Sequence, residues 1–356
     1  MTYTLTTLLI VAITDIMHSF KHYFKSLFRD SLHHIAAFLG PHKWLGSSPK
    51  LWIIMYHRIL PKTDHRYANE EPGMIVTPDD FEMHIQTLKK HFTFISLEEW
   101  VNKKNSNTPL PAKTCVLTFD DGWLDNYEFA WPILSKYNIP ATIYLASGLI
   151  DTTTIFWPNR LIAIYQYLHS APSATNSLDG FFDIFPQTGS GPLSSNFLTH
   201  AIYTAKQQTE ATVIKAIDKA EATLFAHRPP SESELMTWKH INELSRSELI
   251  TIGSHTQNHI KLDDSCNDKD ILSEITDSKT DIQQHTHMAP CLFSYPYGKY
   301  NQFAKETVRS HYLCSTTTTN GINTLDTDLM ELKRIRVHSD ITNTPTKLLA
   351  RMSGWF

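Results

Sequence analysis

The chain has 356 residues, of which 41% are hydrophobic and 19% are charged, and this composition excludes a wholly disordered protein. Its 32 basic and 36 acidic residues give a formal net charge of −4, which argues against a nucleic acid as a partner. The four cysteines form no CxxC pair, so we expect free thiols rather than a disulfide framework.

Residues 1–49 predict a helical extension in front of the main domain. Residues 5–13 are apolar, but they are far fewer than the roughly 20 that span a bilayer, and no basic residue precedes them as in a secretion signal. Apolar residues then recur at helical spacing, with a basic row at Lys21, Lys25 and Arg29. This helix either packs against the domain, which we favour, or makes peripheral contact with a membrane surface. We expect a cytoplasmic or inner-membrane-associated protein, without excluding export.

From residue 50 onward, short apolar runs alternate with helical patterns. This alternation predicts an α/β fold with parallel strands, either a barrel or a doubly wound sheet. An aromatic helical pattern and Pro/Gly/Ser-rich loops at about 150–235 predict an insertion, in the form of a helical lid. Residues 346–356 are expected to form a C-terminal tail. The predicted strands are 51–56, 115–119, 141–146, 249–253, 292–295 and 332–337, and the clearest predicted helices are 77–92, 124–137 and 270–284.

Three of the predicted strand ends carry unusual residues. Asp120 and Asp121 follow strand 115–119, and from an extended backbone two adjacent carboxylates point apart, so one can hold a cation while the other accepts a proton. His255 and His259 follow strand 249–253, and two histidines with one carboxylate form a metal site that leaves a position open for water.

The third strand end is the turn at 293–298. Pro296 and Gly298 favour a sharp bend there, which would expose the backbone N–H of Tyr297 to a developing oxyanion. The alternative is a plain aromatic turn with no catalytic role.

The stretches TFDDG at 118–122, HTQNH at 255–259 and FSYPYG at 293–298 resemble, in this order, the first three motifs of the polysaccharide deacetylases, which are the NodB-homology domains of carbohydrate esterase family four. The resemblance covers most of the chain, from Met55 to about residue 345. It implies a distorted seven-stranded (β/α) barrel at 50–345, interrupted by the insertion. It also implies a divalent metal ion, often zinc, and the hydrolysis of N-acetyl groups from a glycan.

The same resemblance implies residue roles. Asp121, His255 and His259 would be the metal ligands, Asp120 the general base, and the backbone amide of Tyr297 part of the oxyanion site. The Thr256 hydroxyl would brace the loop that carries both histidines.

The general acid and the partner of Asp120 are less clear from the sequence. His338 stands where the family places its last motif and resembles its acid loosely, whereas an ordinary surface histidine is the alternative. Ser294 occupies the place of an arginine that pairs with the catalytic aspartate in many members. A buried carboxylate without a cation would have a raised pKa, so we expect Arg334, rather than Arg336, to reach Asp120 from the last strand. His57 follows strand 51–56 and is expected to be a rim histidine or to line the pocket.

The leading function is therefore a metal-dependent hydrolase that removes N-acetyl groups from a polysaccharide or its lipid-linked oligosaccharide precursor. A peptidoglycan or chitin-oligomer deacetylase is the alternative within the same class. An inactive carbohydrate-binding barrel is the alternative from another class, and it is disfavoured because every ligand position and Asp120 are present.

Overall fold

The structure of the protein, a computed structural model, describes residues 31–43, 48–188, 192–225 and 234–355. The predictions for the apolar segment 5–13 and for the basic row at Lys21, Lys25 and Arg29 lie outside the described residues. The helix at 31–39 exposes four large apolar side chains, namely Leu32, Ile35, Phe38 and Leu39. Across the described ranges, no helix is long and apolar enough to cross a bilayer.

A curled sheet of seven parallel strands forms the centre of the molecule, in the order β10-β1-β5-β6-β7-β8-β9, with β4 beside the first half of β5. A separate parallel pair joins β2 and β3. The strands are β1 Lys50–Tyr56, β2 Arg58–Ile59, β3 Ile75–Val76, β4 Thr93–Phe94, β5 Lys113–Phe119, β6 Ala141–Leu145, β7 Ile250–Ser254, β8 Leu292–Ser294, β9 Cys314–Thr316 and β10 Ile335–Arg336.

The two edges of this sheet meet just before β10. Thr317 donates its backbone N–H to Leu332 O at 2.9 Å, and Arg334 donates its own to Thr319 O at 2.9 Å. The sheet is thereby rolled into a distorted seven-stranded (β/α) barrel, as predicted. The predicted strand 332–337 is shorter than expected because residues 332–334 pair with the β9 side, which leaves only Ile335 and Arg336 to pair with β1.

Helices pack around the barrel, and most of them begin after a residue whose side chain caps the first turn. Thr77, for example, accepts a hydrogen bond from the backbone N–H of Asp80 at 3.2 Å. The pattern at 124–137 is a π-helical turn that continues into α3 and ends at Asn138 in the left-handed conformation. The helices are α1 Pro78–Leu88, α2 Leu97–Asn105, α3 Trp131–Tyr137, α4 Trp157–Ser170, α5 Ser195–Lys206, α6 Glu210–Leu224, α7 Trp238–Ser245, α8 Asp268–Thr286, α9 Gln302–His311, α10 Ser339–Thr342 and α11 Pro345–Met352.

The insertion lies between β6 and β7 and is helical, as expected. Helices α4, α5 and α6 bury an apolar cluster of their own, separate from the two clusters of the barrel. An ion pair between Arg160 and Glu221, 2.6 Å apart, ties α4 to α6. The insertion therefore has its own core and is not a loose loop.

The prediction of a C-terminal tail at 346–356 is wrong for most of its length. Residues Pro345–Met352 form α11, whose Leu348 and Met352 are buried in the barrel's apolar cluster. Trp52 of β1 donates its indole N–H to Met352 O at 2.8 Å. Because these apolar residues recur four positions apart, they form one buried face of a helix.

All four cysteines are free, as predicted.

Candidate active site

The carboxyl end of the barrel encloses a cavity of about 680 Å³. Parallel strands deliver their C-terminal residues to the same end of a barrel, and three of the strands supply the cavity with the residues singled out in the sequence. Asp120 and Asp121 come from β5, His255 and His259 from β7, and Tyr297 from the turn after β8.

Asp121, His255 and His259 form a cluster suited to a metal ion. Asp121 Oδ1 lies 3.5 Å from His255 Nε2 and 3.4 Å from His259 Nε2. Ligands placed tetrahedrally about 2.0–2.1 Å from zinc would be about 3.3 Å apart, which is close to both distances. Asp121 Oδ1 is also buried without a hydrogen-bond donor, and a buried carboxylate oxygen is costly unless a cation or donor satisfies it. The residues present therefore fit a divalent cation.

The orientation of His255 supports this assignment. Its Nδ1 lies 2.7 Å from Ser294 O, and since a carbonyl can only accept, Nδ1 carries the proton and Nε2 keeps its lone pair toward Asp121. Burial lowers the pKa of His255 to about 4, so the ring is neutral at pH 7. A neutral imidazole with a free Nε2 is the form that ligates a metal.

His259 is positioned by the loop after β7. Its backbone N–H donates to Thr256 Oγ1 at 2.9 Å, so the Thr256 hydroxyl braces the loop as expected. Burial acts to lower the pKa of His259, but the contact with Asp121 outweighs burial and raises it.

Trp123 fixes the other oxygen of the Asp121 carboxylate. Its indole N–H donates to Asp121 Oδ2 at 2.9 Å, and the guanidinium of Arg58 lies 4.0 Å from the centre of its ring system. Arg58 is fully buried and is held in turn by Asp125 at 2.9 Å and by Glu70 at 2.6 Å. Trp123 lines the cavity and also orients a predicted metal ligand.

Replacing Trp123 by Phe is expected to weaken zinc affinity by about 10- to 100-fold, because the carboxylate of Asp121 loses the donor that orients it. Titration of the metal-stripped protein with Zn²⁺, followed by calorimetry, measures this change. Trp238→Phe is the matched control, since Trp238 stacks on His285 and lies outside the cavity. Equal affinities in the two variants would contradict the role of Trp123.

Asp120 and Arg334 form a bidentate ion pair beside the cluster. The two guanidinium nitrogens donate to Asp120 Oδ1 at 2.6 Å and Oδ2 at 2.7 Å, and Arg334 Nε donates to Thr317 O at 2.8 Å. Burial alone would raise the pKa of Asp120, but the charge and hydrogen bonds of Arg334 hold it below its usual value. The Ser294 hydroxyl accepts a further bond from Arg334 at 3.1 Å. Arg334 thus occupies the place expected from the sequence.

The two other histidines singled out in the sequence, His57 and His338, differ in their position relative to the cavity. His57 lines the cavity, with its Nε2 3.9 Å from Asp120 Oδ2, and its pKa is lowered mainly by burial. The structure does not bring His338 into the cavity. Its Nδ1 lies 3.2 Å from Asp340 Oδ2, and its Nε2 faces Gly73, about 3.7 Å from the point where a side chain on that residue would begin. The sequence indicated a place for His57 near the cavity because this residue directly follows β1. In the structure, Tyr56 of β1 is aligned with Phe119, the last residue of β5, so His57 and Asp120 leave their strands side by side.

The backbone of the site is strained. Asp121, Thr256, His259 and Tyr297 have φ values of 78°, 65°, 57° and 56°, in the left-handed region that non-glycine residues rarely adopt. Such conformations cluster at functional sites, where the surrounding structure holds side chains in positions that a relaxed backbone would not give.

The insertion completes the cavity wall. The ring of Phe156 lies 5.0 Å from that of His259, and Trp157 donates its indole N–H to the Tyr297 hydroxyl at 3.3 Å. Trp157 is therefore a buried link between the insertion and the barrel.

The barrel, with its cavity at the carboxyl end of the strands, has the fold of known deacetylases. Residues 107–313, more than half of the chain, match the polysaccharide deacetylase family, and the chain belongs to this family. Among solved structures it resembles the Streptococcus pyogenes deacetylase PplD in complex with acetate, with a TM-score of 0.56 and 23% identity over 86% of this chain and 99% of that one. It also resembles IcaB from Ammonifex degensii, with a TM-score of 0.54 and 17% identity over 85% of this chain and 97% of that one. At these identities the likeness shows the fold alone.

Two curated relatives match shorter stretches. The putative polysaccharide deacetylase YxkH of Bacillus subtilis (strain 168) is 34% identical over 97 residues, which are 27% of this chain and 32% of the relative. The poly-beta-1,6-N-acetyl-D-glucosamine N-deacetylase of Staphylococcus epidermidis is 28% identical over 177 residues, which are 47% of this chain and 55% of the relative. The matches thus span about a third and about half of the lengths of these relatives.

Proposed function

We propose that this chain is a metal-dependent hydrolase that removes N-acetyl groups from a polysaccharide. The observation that carries the proposal is the cluster of Asp121, His255 and His259, with its unpaired carboxylate oxygen, next to the Asp120–Arg334 pair. A divalent cation such as Zn²⁺ held by the cluster would act as a Lewis acid and lower the pKa of a water molecule.

The residues around the cluster supply the remaining steps. Asp120, kept ionised by Arg334, accepts the proton of a water molecule as that water attacks the acetamide carbonyl carbon. The bond between this carbon and the sugar nitrogen then breaks, acetate leaves, and the nitrogen gains a proton to become the free amine. Tyr297 lines the same cavity, and its backbone N–H is the group we assign to the carbonyl oxygen.

His57 is the group that we assign as the proton donor to the leaving amine. Its ring faces the cavity, and its 3.9 Å separation from Asp120 leaves Nε2 available to a substrate atom. His338 was the expectation from the sequence, but its ring is paired with Asp340 and lies outside the cavity.

His57→Asn is expected to lower kcat by about 10²-fold or more, in keeping with the loss of a general acid, whereas His338→Asn is expected to leave kcat within about 3-fold of the original enzyme. Acetate release measured on both variants, with melting temperatures as a check on folding, tests the assignment. A large loss in His338→Asn with little change in His57→Asn would restore the sequence-based prediction and reject His57.

Two observations support a substrate class, namely the name of one relative and one exposed surface. The staphylococcal relative is a poly-beta-1,6-N-acetyl-D-glucosamine N-deacetylase by name, which supports a β-1,6-linked N-acetylglucosamine polymer. A lipid-linked oligosaccharide precursor is the second candidate, favoured by the exposed apolar side chains of helix 31–39, which suit contact with a membrane surface.

The test uses the full chain, stripped of metal with a chelator and reloaded with Zn²⁺. We expect about one bound ion per chain and acetate release from β-1,6-linked N-acetylglucosamine oligomers that exceeds release from β-1,4-linked chitin or peptidoglycan fragments. The reverse order would assign the enzyme to chitin or peptidoglycan. A protein that binds no metal would be the carbohydrate-binding barrel, and a zinc-loaded protein inert toward every N-acetylated glycan would reject deacetylation.

A further inference from the structure

The insertion places an exposed aromatic side chain in the wall of the cavity. Tyr203 of α5 lines the cavity and is 64% exposed, whereas its neighbour Ile202 and, two positions on, Ala205 are buried in the core of the insertion. The buried face of α5 thus holds the helix in place, and Tyr203 projects on the opposite side. The tyrosine ring has no ring partner among the described residues.

Tyr203 lies one helical turn from Lys206, a residue near the cluster of Asp121, His255 and His259. The ring of Tyr297 lies 4.8 Å from that of His259, and Lys206 Nζ lies 5.8 Å from the centre of the Tyr297 ring. Residues three apart lie on one side of a helix, about 4.5 Å apart along its axis, so Tyr203 neighbours Lys206 in the cavity wall.

The position of this wall is fixed by polar contacts to the barrel. Lys206 Nζ lies 2.7 Å from Glu71 Oε1, and Lys261 Nζ donates to Lys206 O at 2.8 Å. Helix α5 is therefore held at both the side chain and the backbone of Lys206. A ligand would meet Tyr203 in a preformed place, with little ordering of the protein needed.

The chemistry of this wall suits a sugar ring. The face of a pyranose presents C–H groups that pack on an aromatic ring, and the tyrosine hydroxyl offers a polar tip at its edge. The adjoining Gln207 and Gln208 also line the cavity, and each amide carries both donors and acceptors for sugar hydroxyls. A cavity of about 680 Å³ lies in the range that holds a ligand larger than one sugar.

We propose that Tyr203, with Gln207 and Gln208, forms a distal subsite for a sugar residue other than the one that loses its acetyl group. The proposal rests on the proposed deacetylase function and deepens it, because it makes the substrate an oligo- or polysaccharide held over at least two sugar rings. The insertion then sets the length of glycan that the enzyme prefers.

Chain-length dependence tests the subsite in the zinc-loaded full chain. For a pentamer of N-acetylglucosamine, Tyr203→Ala is expected to raise KM about 10-fold with little change in kcat, as expected for the loss of one stacked ring. For the monosaccharide, kcat/KM is expected to stay the same. Tyr203→Phe keeps the ring and is expected to remain within about 3-fold of the original enzyme for both substrates.

Tyr167→Ala is the matched control, because Tyr167 is also an exposed tyrosine of the insertion but lies outside the cavity. An unchanged pentamer KM in Tyr203→Ala, or an equal loss for monosaccharide and pentamer, would overturn the subsite. If no glycan releases acetate, the proposed function fails, and calorimetric titration with the pentamer then decides the subsite separately. Weaker binding by Tyr203→Ala than by Tyr167→Ala supports it, and equal binding rejects it.

Discussion

Asp120→Asn is expected to lower kcat for acetate release by about 10²–10⁴-fold, because the amide cannot accept the proton of the attacking water. The substitution keeps the shape of the side chain and leaves the Asp121, His255 and His259 donors in place, so zinc content is expected to stay at the level of the original protein. It also leaves Arg334 buried without a counter-charge, so the melting temperature is expected to fall.

Three measurements separate these effects: acetate release, bound zinc per chain and a thermal melt followed by circular dichroism. Assays are run well below the melting temperature of the variant, so that lost activity reports chemistry and not unfolding. Activity within a few-fold of the original enzyme in a zinc-loaded, folded Asp120→Asn variant would remove Asp120 from the role of base.

The second large effect is expected at Arg334. Removing the guanidinium in Arg334→Ala leaves the Asp120 carboxylate buried and unpaired, which is expected to cost about 3–5 kcal/mol of stability. The strongest influence that opposes burial is then lost, so the pKa of Asp120 is expected to rise. A base must be ionised to act, so the acidic limb of the pH profile of kcat/KM is expected to move to higher pH. Zinc content is expected to stay intact.

The pH profile distinguishes this role from a purely structural one. Arg334→Lys restores one positive charge without the bidentate geometry, so its acidic limb is expected to lie between those of Arg334→Ala and the original enzyme. Arg309→Ala is the control, since Arg309 is an exposed arginine that pairs with Asp328 far from the cavity. Full activity and an unshifted profile in Arg334→Ala would reject the pairing as a catalytic device.

Much of the site could be predicted because its residues directly follow buried strands. A strand end fixes where the next side chains lie, so two short motifs predicted that a carboxylate of the Asp120–Asp121 pair would meet His255 and His259, and the family resemblance assigned Asp121 to the metal. Arg334 followed from a physical requirement: a buried carboxylate needs a cation, and Ser294 could not supply one.

The contacts that the sequence could not predict depend on pairing between distant strands. The sequence gives no register between β1 and β5, and it is this register that sets His57 beside Asp120. The link from Arg58 through Trp123 to Asp121 likewise requires three-dimensional contacts that no local pattern reveals.

The barrel fold was predicted, but several of its elements were not. Alternating strands and helices left a barrel and a doubly wound sheet open, and the family resemblance favoured the barrel. Strand β9 was missed because its three residues, Cys314–Thr316, are too short and polar to form an apolar run, although all three are buried by neighbouring elements. Helix α11 was mistaken for a tail because its partner, Trp52 of β1, lies almost 300 residues earlier in the chain.

The left-handed backbone at Asp121, Thr256, His259 and Tyr297 has a consequence for how this enzyme can evolve. Each such residue costs about 1–3 kcal/mol, and glycine would relieve that cost. Selection for heat resistance alone would therefore favour glycine at the two proposed cation ligands, Asp121 and His259, and at Thr256 and Tyr297 beside them. Stability and hydrolytic activity therefore place opposite demands on these four positions. Stabilising substitutions should be sought in the outer helices and not at these positions.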